Sequence, residues 1–175
     1  MIIDELVSFS NIYGSNEELV LAGGGNTSAK DGDVMYIKGS GTQLATITSD
    51  GFVKMNRAAL AEIFTKEYPK DDAAREAQVL ADLSAAKMPG EENKRPSVET
   101  LLHSLFDKTF VLHLHPALVN GLTCSVGGEK LAREILGNEF IWVEACKPGY
   151  ILSKICYDKM KEYEDLNGTQ ADIII

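Results

Sequence analysis

The chain has 175 residues, of which 45% are hydrophobic and 25% charged, and an acidic excess gives it a formal charge of −9 at pH 7. That length suits one domain, 1–175, with a sizeable core, and no apolar run is long enough to span a membrane. The acidic balance argues against a general nucleic-acid or anionic-membrane surface, although a local anion site stays open.

The opening MIIDELVSF places an acidic pair where a signal peptide needs positive charge, which points to a cytoplasmic protein. Residues 2–13 read as a short helix with Ile2, Ile3, Leu6, Val7 and Phe9 as its apolar stripe, ended near Gly14. Strand-like pieces follow around NTSAK and VMYIK, joined by the turn signal KDGD. MNRAALAEIF has helical composition, and DDAAREAQVLADLSAAK reads as a helix opened by acidic residues and ended by MPG. The polar EENKRP leads into a helix at SVETLLHSLF, with Ser97 as its cap and Leu101, Leu102, Leu105 and Phe106 as its buried face. TFVLHLH alternates as a strand does. A helix at GEKLAREILG, a strand at FIWVEA, a turn at KPGY, a helix over 151–164 and a buried terminal strand ADIII complete the pattern. Alternating strands and helices indicate an α/β layered domain. Cys124, Cys146 and Cys156 are odd in number, form no CxxC pair, and read as reduced, mostly buried thiols.

Three features can carry chemistry. His113 and His115 are two of only three histidines, and on a strand side chains at i and i+2 share a face. They are either two metal ligands or hydrogen-bonded residues of a sheet face; a catalytic zinc site ordinarily takes three protein ligands and an open position. Glu99 in RPSVETLLH is either a helix-dipole partner or an acid/base group carried close to the histidine strand. His103 lies four residues later on the same helix face, where it can orient Glu99, bind a partner or fill the core. Finally, GGGNTS and KGSGT combine glycines with Ser, Thr and Asn donors, and Lys38 adds a point charge suited to phosphate. Neither stretch is a Walker A loop or a GxGxxG fingerprint, so each alone is equally a turn.

The order of these features resembles the class II aldolase/adducin family. The matching residues are Gly25-Asn26-Thr27-Ser28, Ser40-Gly41, Pro96-Ser97-Val98-Glu99 with His103, and His113-Leu114-His115-Pro116. KGSG and PSVETLLH are closest to the aldolase domain of longer, rhamnulose-phosphate-aldolase-like proteins that can carry a dehydrogenase domain behind it. The resemblance implies a three-layer αβα sandwich around a central mixed, largely antiparallel sheet, and a divalent metal, usually Zn2+. It makes His113 and His115 metal ligands, Glu99 the catalytic acid/base, and Gly25, Asn26, Ser40, Gly41 and Ser97, with Lys38, the binders of a substrate phosphate. The implied reaction is reversible aldol cleavage of a phosphorylated sugar to dihydroxyacetone phosphate and an aldehyde, by a homo-oligomer, a tetramer in the family. Two departures stand out. Ser97-Val98 replaces the Ser-Ser common in the family, and no histidine follows His115 where the family places a third metal ligand in a His-Gly pair past an apolar strand. The expectation is therefore a domain truncated at its C-terminus, or a natural chain that has lost the ligand, with its metal weakly held or absent and its lyase activity open to loss in this form. The alternatives are a non-catalytic, adducin-like binding or assembly module on the same fold, or an unrelated α/β protein in which HLH is structural.

Overall fold

Helix α1 (Ile2–Gly14) forms where the apolar stripe places it, in a computed structural model that describes residues 1–175. It ends at a residue that must be glycine, because a Cβ on Gly14 would lie 2.4 Å from the Ala45 amide nitrogen. Two strands, β1 (Asn26–Asp31) and β2 (Val34–Lys38), then form an antiparallel hairpin with Gly32 in the left-handed region. Strand β3 (Phe52–Asn56) follows, then α2 (Arg57–Ile63) and α3 (Asp72–Ala85). The helix expected at MNRAALAEIF is thus split: Met55 and Asn56 close β3, and the Asn56 side chain caps α2 by accepting the Ala59 N–H at 2.9 Å. Next come α4 (Thr100–Ser104), β4 (Phe110–His113), α5 (Ala117–Thr123), α6 (Gly128–Leu136) and α7 (Tyr150–Asn167).

The strands form one sheet in the order β3-β2-β1-β4, antiparallel throughout, with Met35 opposite Met55 and Asn26 opposite His113. Strand alternation sends successive side chains to opposite faces. Met35, Ile37, Val53 and Met55 enter the larger core with Leu60, Ile63, Val79, Leu83, Leu101, Tyr150 and Cys156 from α2, α3, α4 and α7. Ala29 and Phe52 face the other way and pack with Leu6 of α1 and Ile47. Helices on both faces make three layers, as expected, and each fully buried large side chain contributes roughly 1.5–3 kcal/mol.

The segments expected as strands at FIWVEA and ADIII meet only in an isolated parallel bridge between Ile141 and Ile174. This bridge lies outside the four-stranded sheet, whose own pairings are all antiparallel. Of the thiols only Cys156 is buried, its pKa pushed up to about 11 chiefly by that burial. Cys146 is partly exposed and Cys124 exposed, unlike the expectation for them. No helix is long and apolar enough to cross a membrane.

Candidate metal and anion site

On β1 the alternation has a chemical consequence. Thr27 and Ala29 face α1, where Thr27 Oγ1 lies 2.7 Å from Ser10 Oγ. Asn26, Ser28 and Lys30 therefore face α4, and all three are buried. Asn26 is also the cross-strand partner of His113, so its amide and the His113 ring stand side by side on one sheet face.

Glu99 enters this face from the N-cap position of α4. Its Oε2 accepts a hydrogen bond from Asn26 Nδ2 and lies 3.3 Å from His113 Nδ1. Ser97 does not cap α4 in the expected way, yet its Oγ accepts from the Glu99 N–H at 3.2 Å and from Asn26 Nδ2 at 2.8 Å. With both of these bonds accepted, the Ser97 hydroxyl proton remains free to donate. Asn26 Oδ1 is buried without a partner, the mark of a polar site that is incomplete as it stands.

Strand β4 ends at His113, so His115 is not held by the sheet. It is held instead by the chain before the glycine run: its N–H donates to Leu19 O at 3.0 Å, and its ring packs in van der Waals range of Gly24. Gly25, left-handed at φ +73, is packed so closely that a Cβ would be 3.0 Å from His113 O. The glycine loop thus makes room for the histidine pair. The two Nε2 atoms are 3.0 Å apart. Two nitrogens on one tetrahedral zinc, each at 2.0–2.1 Å, would be about 3.3 Å apart, so the pair needs little movement to share an ion. Since His113 directs Nδ1 at Glu99, its neutral form carries the proton there and its Nε2 is the free lone pair. Glu99, His113 and His115 each offer a ligand atom, all within 4.8 Å of one another. These three form a candidate donor set without a third histidine, in which the carboxylate would leave His113 Nδ1 to share an ion with the two Nε2 atoms; sequence spacing did not show it.

Electrostatics follow from this packing. Burial alone would raise the Glu99 carboxyl, but hydrogen bonds and charge from His113, with the Asn26 bond, outweigh it and hold the pKa at about 2. His115 is lowered by burial and by the neighbouring His113. His103 is fully buried and its pKa falls to about 3, chiefly by desolvation, so its imidazole is neutral.

The anion-binding candidates converge on the same place from a second direction. Ser97 N–H donates to Lys38 O at 3.2 Å, and Ser40 N–H donates to Arg95 O at 2.8 Å, tying the KGSG loop to the segment before Glu99. Ser40 has thereby spent its amide, leaving its hydroxyl, while Gly41, left-handed at φ +86, keeps a free N–H. Lys38 is buried, and its ammonium makes neither a hydrogen bond nor an ion pair with any protein group. Burial lowers its pKa and the nearby Glu99 partly restores it.

Lys30, also buried, donates from Nζ to His103 O at 2.9 Å and to Lys108 O at 3.3 Å. Burial first, then Arg57, lower its pKa from 10.5 to about 8. A lysine depressed on folding costs stability while it is charged. That cost is in full force below pH 8 and is relieved as pH rises to 10.5. Urea unfolding of wild type and Lys30→Met should show wild type gaining up to about 3 kcal/mol relative to the variant between pH 7.5 and 10.5. A constant difference would contradict this.

Comparison with known proteins places these features in a family. The model described as Class II Aldolase and Adducin N-terminal domain matches residues 4–167. The chain is 33% identical over 182 residues to the uncharacterized oxidoreductase YuxG of Bacillus subtilis (strain 168), covering 99% of this chain and 25% of that protein. It thus spans about a quarter of the length of that relative. Among solved structures, the N-terminal class II aldolase domain of a conserved protein from Thermoplasma acidophilum aligns at TM-score 0.76 with 31% identity, over 89% of this chain and 74% of that one. The L-fuculose-1-phosphate aldolase from Thermus thermophilus aligns at TM-score 0.53 with 15% identity, over 93% and 73%, a likeness of fold.

Proposed function

Because the chain belongs to the class II aldolase and adducin N-terminal domain family, we propose that it is the metal-binding, sugar-phosphate-binding domain of a class II aldehyde-lyase. The reaction would be reversible cleavage of a phosphorylated ketose to dihydroxyacetone phosphate and an aldehyde. One observation carries the reading: a donor set of Glu99, His113 and His115 lies beside Asn26 and Ser97, and the Ser97 N–H is bonded to the carbonyl of Lys38, whose ammonium has no protein partner.

Neutral imidazoles and a carboxylate suit zinc or a similar divalent ion, which supplies Lewis-acid stabilisation of the charge left beside a carbonyl when a C–C bond breaks. The chain's own residues do the rest. Lys38, the Ser97 and Ser40 hydroxyls and the Gly41 N–H hold the phosphate, and its binding energy orients the reacting carbons. Glu99 moves the proton. At rest its bonds to His113 and Asn26 keep it ionised, but burial is the largest single influence on it. Substrate that displaces either bond lets burial raise the pKa toward the working range, as a general acid/base requires.

A longer form fits the same reading. Ile141 N–H donates to Ile173 O and Val143 N–H to Ile175 O, which fixes the course of the last residues. Lys108 pairs with Asp172 at 2.8 Å, so this segment starts beside the foot of β4. A third histidine following it, as in the family pattern, would strengthen a site that here has one carboxylate and two imidazoles. Assembly as a homotetramer belongs to the proposal too, supported by Leu118 and Val126, exposed on and just past α5, the helix that follows His115.

Metal binding gives the test. Calorimetric titration with Zn2+ should show binding that weakens at least tenfold in His113→Ala and in His115→Ala; equal affinity in all three proteins would sink the site. Release of dihydroxyacetone phosphate from ketose 1-phosphates, dependent on added metal, would establish the lyase. Metal binding without release from any such substrate would favour the non-catalytic, adducin-like module.

A further inference from the structure

We propose that His103 is a positioning residue for Glu99: its hydrogen bond to Ser28 sets the register of α4 against β1, and with it the approach of Glu99 to His113. What Glu99 does there rests on the lyase reading; the register does not.

The buried face of β1 meets α4 at three successive points. Asn26 Nδ2 donates to Glu99 Oε2, Ser28 Oγ lies 2.9 Å from His103 Nδ1, and Lys30 Nζ donates to His103 O at 2.9 Å. The spacings match. Two residues of strand advance about 6.6 Å, and four residues of helix about 6.0 Å. Asn26 to Ser28 therefore keeps pace with Glu99 to His103, and the pairs are consecutive rungs between a strand and a helix. At five residues α4 is too short to hold its own conformation, so such anchors decide where it sits. A slip of one residue would shift it about 1.5 Å and turn it about 100°, carrying Glu99 away from a ring nitrogen now 3.3 Å distant.

The polar work of His103 is done by one atom. Its Nε2 is buried without a partner, a cost that an apolar residue at this position would not incur. Nδ1 is the nitrogen that bonds Ser28, and the ring lies 6.3 Å from that of His113 between centroids, with no hydrogen bond between their nitrogens. This asymmetry yields a discriminating pair of substitutions. An asparagine amide reaches about as far as Nδ1, whereas a glutamine amide reaches to the place of Nε2.

The test uses metal-free protein and the 1H–15N resonances of the His113 ring, where a hydrogen bond from Nδ1 to Glu99 gives a downfield, slowly exchanging proton. Wild type and His103→Asn should show this resonance; His103→Gln and the minimal variant Ser28→Ala should lose it. Its absence from wild type or His103→Asn, or its persistence in both His103→Gln and Ser28→Ala, would overturn the proposal. In a second arm, Co2+ titration followed by its visible absorption should give a Kd about tenfold weaker in His103→Gln and Ser28→Ala, and within threefold of wild type in His103→Asn. Failure of wild type to bind Co2+ would remove the metal reading, while the ring resonances would still decide the register.

Discussion

Glu99→Gln is expected to lower metal-dependent cleavage of a ketose 1-phosphate by about 10²- to 10⁴-fold, the range that a general acid/base group contributes. KM should stay within a few-fold, because the phosphate binders Lys38, Ser97 and Gly41 are untouched. Glutamine keeps an oxygen to accept from His113 Nδ1 and Asn26 Nδ2, so the site should hold its shape. Both histidines remain while the carboxylate donor is lost, so turnover is compared at saturating metal, with occupancy checked by elemental analysis. What is lost is the titrating group. The folded carboxyl is depressed from 4.5 to about 2, so it stabilises the fold above pH 4.5, a contribution that disappears as pH falls toward 2. The acid-unfolding curves of wild type and variant should therefore converge at low pH, which separates a loss of chemistry from a loss of folding. Undiminished turnover in the variant would remove Glu99 from the mechanism.

The parts of the site legible beforehand were those encoded by short-range spacing. His113 and His115 are two residues apart and Glu99 and His103 four apart, intervals that predict a shared side, although β4 stops at His113 and Glu99 is the N-cap of α4. The convergence of these pairs was not legible, because it depends on β1 lying between α4 and α1 with Asn26 opposite His113. The role of His103 shows the difference: three readings were open until the pairing of strands placed Ser28 beside its ring. Strand β3 went unseen because its last residues merge with an alanine-rich run, although Asn56 marked the boundary as a cap. ADIII was overread for a related reason. Apolar composition signals burial, but a ladder needs a neighbouring strand, and 171–175 finds only the bridge to Ile141. The glycines were read for anions, whereas at Gly25 the immediate use is to let the histidine strand approach.

Lys38→Met should move stability and function in opposite directions. The Lys38 stem is buried, its ammonium keeps solvent contact without a protein partner, and burial lowers its pKa, so within the isolated chain the charge is a modest liability. Methionine keeps the length of the stem without the charge, and urea unfolding should show a gain of the order of 1 kcal/mol. The same substitution should raise KM for a ketose 1-phosphate by about 10- to 100-fold, the equivalent of one charge-assisted hydrogen bond worth roughly 1.5–3 kcal/mol. It should also lower kcat, since phosphate binding energy places the reacting carbons. The preference for phosphorylated over unphosphorylated ketose, taken as a ratio of kcat/KM, should fall in proportion. A residue kept only for structure would lose stability on truncation of its polar end; one kept for an anion gains stability and loses the anion. If Lys38→Met destabilised the fold and left the phosphate preference intact, the cation would belong to the architecture, and the phosphate site would have to be sought elsewhere.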